Sequence, residues 1–184
     1  MTTKKYNILI FLFSFLYPQN TVSDDIISFI DSLNNKTMVL LVDSSEHKTK
    51  LSILDDKIYF DTFSANNDIV TIEGNEIKTY DFDSQVIIIE SADETFLDLF
   101  YKQGLLKYKI TNTDIKNSLS LVTYSLDSRV LVIEFDNTLK QIISIEIQDE
   151  DISLLSAKVI DIIKFDMPFL ANDFASWQIL DWRD

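Results

Sequence analysis

The stretch DIVTIEGNEIKTYDFDSQVIIIE, residues 68–90, decides the fold class. It holds three runs rich in Ile, Val, Thr and Tyr: Asp68–Glu73, Glu76–Phe82 and Gln85–Glu90. Gly74-Asn75 parts the first two and Asp83-Ser84 the last two. β-branched and aromatic residues favour a pleated strand, and short polar breaks between such runs mark antiparallel turns.

The same pattern extends in both directions. Upstream, Thr37–Asp43, Lys48–Leu54 and Lys57–Phe63 read as strands broken by Asp43-Ser44-Ser45-Glu46 and Asp55-Asp56. Downstream, strands are expected at Leu105–Asn112, Leu119–Leu126, Arg129–Asp136, Leu139–Gln148, Leu154–Phe165 and Ser176–Trp182. A spacing of about ten residues fits a meander. Two segments depart from it. Ile26, Ile27, Ile30 and Leu33 repeat with the period of one helical face, so Asp25–Leu33 reads as a helix capped by Ser23 or Asp24. Ser91-Ala92-Asp93-Glu94 fits a capping box, followed by the bulky patch Phe96, Leu97, Leu99 and Phe100, with Gly104 suited to the helical stop.

Composition bounds the chemistry. The 184 residues suit one domain, and 46% hydrophobic with 25% charged residues is globular. There is no cysteine, which excludes disulfides, thiolate nucleophiles and cysteine metal sites. The net charge of −14 argues against nucleic acid or an anionic membrane surface as the main partner. The two glycines, Gly74 and Gly104, cannot form a phosphate loop. His47 is the one imidazole, in a polar turn, and no Gly-x-Ser-x-Gly turn presents a serine to it. Acidic pairs such as Asp24-Asp25, Asp55-Asp56 and Asp149-Glu150-Asp151 fall in expected turns and meet no calcium-loop pattern. Trp177 and Trp182 lie five apart on the last strand, on opposite faces. No catalytic set, metal site or cofactor is expected.

Strand phase is the most informative property. In Arg129–Asp136 the set Arg129, Leu131, Ile133, Phe135 opposes a mixed face, whereas Val39–Val42 and Val86–Ile89 are apolar on both. A sheet greasy on both faces must cover both. One face can take the helix Asp25–Leu33; the other needs a second sheet, a closed barrel interior or a ligand. Curling round an apolar interior and an ordinary sandwich core both satisfy this.

The N-terminus reads as an export signal. Lys4 and Lys5 precede ten residues, Ile8–Tyr17, that are apolar except Ser14. About 20 residues are needed to span the ~30 Å hydrocarbon core, so the layout fits a secretory signal better than an anchor or a buried helix. Thr21-Val22-Ser23 offers small residues for a cut before Asp24. The remaining 161 residues would carry 14 basic and 30 acidic side chains, net −16, and would work outside the cytoplasm as a single domain, 24–184.

An exported chain without cysteine, with a leading helix, a curled sheet and an apolar helical interruption, resembles the periplasmic outer-membrane lipoprotein carriers, the LolA family. The best local match is Ile69–Asp81, similar to that family's strand, Asp-Gly turn and strand ending in Trp-x-Tyr-Asp; Gln85–Ile89 also matches. Phe96–Phe100 falls where the family has its central helical segment, and Phe174 with Ile179-Leu180-Asp181 resembles its ending. Glu73 stands for the usual Asp and Lys78 for the aromatic. The family's arginine before the third strand corresponds to about Asp55-Asp56-Lys57, so its lid latch is not carried over.

The resemblance implies a mainly β fold with two or three short helices. Its strongly curved antiparallel sheet would be an incomplete β-barrel of about 11–12 strands with a helical lid. It further implies a monomeric periplasmic carrier, not an enzyme, that takes the acyl chains of lipidated proteins from an inner-membrane lipoprotein-releasing transporter to an outer-membrane receptor. Phe96, Leu97, Leu99 and Phe100 would form the lid's underside, with Leu40, Phe60, Ile87 and Ile89 lining the cavity. The alternatives are a periplasmic lipid-binding or sensing module without protein transfer, and a structural β-protein with a filled core.

Overall fold

The computed structural model describes residues 18–42, 48–55, 57–62, 68–92, 99–150, 152–166 and 174–183. His47, and Glu94 of the expected capping box, lie outside them. Helix α1 runs Pro18–Asp31, and the period read from the sequence is the reason it buries one side: Ile26, Phe29, Ile30 and the following Leu33 are all in the core. It begins six residues ahead of Asp24 and passes through Thr21-Val22-Ser23, with Val22 buried. A second helix, α2, is the single turn Lys102–Leu105.

The described residues form twelve strands: β1 Lys36–Val42, β2 Lys48–Leu54, β3 Lys57–Thr62, β4 Asp68–Glu73, β5 Glu76–Asp81, β6 Val86–Ser91, β7 Lys109–Lys116, β8 Leu119–Leu126, β9 Arg129–Asp136, β10 Gln141–Asp149, β11 Ile152–Lys164 and β12 Gln178–Asp181. All twelve overlap their expected positions, eleven of them with ends within a few residues. The twelfth, β7, expected at Leu105–Asn112, is displaced by four residues. Leu105 and Tyr108 are bulky enough to be drawn into the core instead, and the strand starts after them. Gly104 accordingly sits inside α2 and not beyond its end.

All twelve strands belong to one open, curved sheet of order β12-β6-β5-β4-β3-β2-β1-β11-β10-β9-β8-β7. Two meanders, β1–β6 and β7–β11, are joined by the antiparallel β1–β11 pair. Only β12 pairs parallel, along β6. The sheet ends at β12 and β7 without closing into a barrel. Register shifts at Val39/Leu40, Ile142/Ser144 and Ile147/Gln148 supply local bends. With two glycines in the chain, tight turns use other residues in the left-handed region, among them Asn35, Asp55, Asn117, Asp127 and Glu150. Asn and Asp tolerate that conformation best, which is why polar breaks replaced Gly in the sequence pattern.

Register partners share a face, so the pairing assigns every strand residue to a side. The concave side carries the rows Met38–Leu51–Phe60–Val70 and Ile147–Leu131–Tyr124. α1 lies on it, with Phe29 against Phe135 edge to face at 6.4 Å and Lys140 bonded to Asp25 at 2.6 Å. Described parts of the chain's own C-terminal region, Phe165–Asp166 and the residues from Phe174, pack on the convex side of β1–β6. Phe165 packs edge-on to Tyr59 at 5.8 Å, and Phe174 packs on Tyr80 at 5.0 Å. The Asp166 amide donates to Thr37 Oγ1 at 3.0 Å, and its carboxylate takes Lys50 at 2.6 Å. Burial holds the Asp61 carboxyl above its ordinary range there, opposed by Lys50. Among the described residues, the second greasy face is therefore met by two pieces of the chain's own C-terminal region, 165–166 and 174–183, together called the strap.

Candidate functional site: the concave face and its end cavity

The strands position apolar side chains at every second residue toward the hollow of the sheet, and the burial of each depends on what lies over it. Over the centre lie α1 and the segment Leu99–Tyr108. Leu40, Leu99 and Phe100, with exposures of 0%, 0% and 1%, join Leu131, Ile133 and Phe135 in one cluster. The centre of the hollow is thus filled by the chain itself. Toward β6 the described residues provide less cover. Along one register row Met38 and Leu51 are buried, whereas Phe60, Val70, Thr79 and Ile88 are half-buried. At the opposite edge, Ile110 and Ile115 of β7 are exposed at 40% and 44%.

A cavity of about 540 Å³ opens where the C-terminal end of α1 meets the Leu99–Tyr108 segment. Ile30, Ile53 and Phe100 form its buried floor, and Asp31, Asn34, Asp55, Gln103 and Lys107 its exposed rim. The turn after α1 shapes this wall: Asn35 takes a positive φ, and Asn34 Oδ1 accepts the Asp55 amide at 2.8 Å. A volume of this size with apolar walls and a few polar groups is of the kind that holds a small apolar or amphiphilic molecule.

The residues expected to line one hollow do not all share it. Leu40 and Phe60 face the concave side. Ile87 and Ile89 pair with Tyr80 and Lys78 on the convex side and are buried there, on the strap's side of the sheet. Strand β6 is apolar on both faces, and its sequence alone does not say which alternate set turns inward. Ile88, not Ile87, is the concave residue. Leu99 and Phe100 face the core, while Phe96 and Leu97 lie outside the described residues. Trp177 belongs to an aromatic group with Phe82 and Phe174 at 5.1 and 4.9 Å, and Trp182 is exposed.

The sheet has a solved counterpart. An uncharacterized conserved protein from Thermus thermophilus is similar over 88% of this chain and 98% of its own, with 8% identity and a TM-score of 0.51. At that identity the likeness concerns the fold alone. No family model matches the chain, and no curated protein matches it.

Two features escaped the sequence reading. The rim residues Asp31, Asp55 and Lys107 lie in three separate segments and carry no shared pattern. Arg129 did leave a signal, being in phase with Leu131, Ile133 and Phe135. It closes that concave row, half-buried, with Asp149 Oδ2 at 3.3 Å from Nη2 and Tyr108 beside it. It thus ties β9 and β10 to the end of the covering segment.

Proposed function

We propose that this chain is a periplasmic carrier that shelters the acyl chains of lipidated proteins on its concave face and moves them from inner to outer membrane. The observation that carries the reading is the concave row, apolar but for Thr79, running on past its described cover to half-buried Phe60, Val70 and Ile88. The segment Leu99–Tyr108 acts as the movable part of the cover. Lifting Leu99 and Phe100 would vacate the centre for cargo. The energetics require such a container. At ~0.8 kcal/mol per methylene, a chain of about fifteen carbons costs on the order of 12 kcal/mol to leave in water. The acidic exterior keeps a shuttle from adhering to anionic lipid. Partners at the two membranes do the loading and unloading.

The test is whether the purified protein holds a triacylated protein in detergent-free solution. Co-elution of the two is expected, with loss of most of it in Ile88→Asp. Pelleting of the cargo, as in buffer alone, overturns the proposal. The filled centre and the modest end cavity favour a second reading, a lipid-binding module that takes one small amphiphile and transfers no protein. Depletion separates the two, since only loss of a carrier strands lipoproteins in the inner membrane.

A further inference from the structure

We infer that the outer edge of β7 is a docking site for an extended segment of another protein, acidic at both ends and apolar on one face, which adds to the sheet as a further antiparallel strand. The inference stands apart from the carrier reading and needs no cargo. β7 ends the sheet and spans eight residues, Lys109–Lys116, all exposed but half-buried Thr113. Half the backbone N–H and C=O groups of an edge strand point outward, a template for one more strand. The opposite end, β12, has only four residues to offer. Exposed apolar bulk gathers at the same edge. Among the described residues, five of the twelve exposed large apolar side chains fall within 106–121. Two of them, Ile110 and Ile115, belong to β7 and turn to the concave face, opposite Tyr124 and Ser120. An added strand would cover both on one face.

Charge decides the occupant. Lys109 and Lys116 stand at the two ends of β7 on its convex face, opposite Ser125 and Leu119. Both are exposed, and among the described residues neither ammonium has a carboxylate partner. They bar a second copy of the chain. Thr111 is left out of the β7–β8 register, so the antiparallel pairing of β7 with itself over its full length centres on Thr113. That pairing sets Lys109 of each copy opposite Lys116 of the other, and like charges directly opposite destabilise a strand pair. Lysine commonly guards a sheet edge in this way, but the same ammonium groups attract a strand that carries carboxylates. Acidic residues at the ends of such a strand answer Lys109 and Lys116. Neutral polar residues between them meet Asn112 and Asp114, and the alternate apolar set meets Ile110 and Ile115.

The probe is the heptapeptide Glu-Val-Thr-Val-Thr-Val-Glu, acetylated and amidated, titrated into the isotope-labelled full chain and followed by NMR. The control peptide carries lysine in place of both glutamates. The acidic peptide is expected to bind with a Kd below about 1 mM, to shift the β7 amides most and to slow their exchange with solvent. The lysine peptide should bind roughly tenfold more weakly. Lys109→Glu with Lys116→Glu should invert the preference while the unfolding midpoint is retained. Should that variant not fold, the two peptides on the parent chain decide the matter by themselves. Equal affinity for both peptides, shifts centred away from β7, or no binding of either at about 1 mM overturns the inference. A concentration-dependent dimer with protected β7 amides, seen by sedimentation and exchange, overturns it as well. Each of these results leaves the carrier reading to the triacylated-protein assay.

Discussion

Replacing Phe174 by alanine should show that the convex strap is an energetic part of the fold. Its ring lies 5.0 Å from Tyr80, 6.2 Å from Phe82 and 4.9 Å from Trp177, all tilted or edge to face. A fully buried Phe→Ala costs about 3–5 kcal/mol, and aromatic pairs contribute about 0.5–1.5 kcal/mol each beyond area. Phe174 is half-buried, so about 2 kcal/mol is expected. With a urea m-value of about 2 kcal/mol/M, the midpoint should fall by about 1 M with m unchanged. The control is Ile179→Ala on β12. That side chain is 61% exposed, so its removal should cost less than about 0.5 kcal/mol. Amide exchange gives a second readout. The Gln178 and Trp182 amides bond to Gln85 and Ile89 carbonyls, and both should exchange faster in Phe174→Ala. A midpoint shift for Phe174→Ala as small as that of the control would refute the strap as what stabilises the convex face.

Three further outcomes follow from particular contacts. Thr37→Val should cost about 1–3 kcal/mol in chemical denaturation, because the buried Thr37 hydroxyl pairs with Ser52 Oγ at 2.7 Å and accepts the Asp166 amide. Glu150→Gly should raise the thermal midpoint by about 1–2 °C. The left-handed φ of 53° costs a side chain about 1 kcal/mol, offset in part by glycine's unfolded-state entropy. The Asp181 carboxylate, hydrogen-bonded by the Arg183 guanidinium and amide, is lowered to about 2. Since its folded value lies below the ordinary 3.8, whatever it adds to stability is present above that value and lost as pH falls through about 2. NMR titration should return Asp181 toward 3.8 in Arg183→Gln, and an unmoved value would contradict the pairing.

Strand existence was legible because the period-two signal is local: each of β8 to β10 announces its own hairpin through alternation and an Asn or Asp turn. The β1–β11 pairing that joins the two meanders was not legible, since it links residues more than a hundred positions apart and leaves no local mark. Phase was legible where one face is wet. It held in β9, whose row Leu131, Ile133, Phe135 is wholly buried, and it carried Arg129 with it. Phase failed in β6, where Ile87, Ile88 and Ile89 are all apolar, because the information resides in the strap and not in the strand. The shift of β7 has a related cause. Leu105 and Tyr108 fit either period, and tertiary burial decided between them.

The strap bears on how the hollow could open. A sheet fixed on one face only can flatten, widening its concavity at small cost in contacts. Here Phe165 and Asp166 are tied to Thr37, Lys50 and Tyr59 on the convex face and Phe174 to Tyr80, so flattening would strain those contacts along with the concave ones. The other face offers the cheaper movement. Segment Leu99–Tyr108 includes a single helical turn and is anchored near one end by Tyr108 beside Arg129. Its displacement exposes Leu99, Phe100 and Leu105 but leaves every strand pair intact. If the proposed carrier function holds, capacity to accept a chain in the centre of the hollow would be set by that segment, with the sheet as a rigid wall.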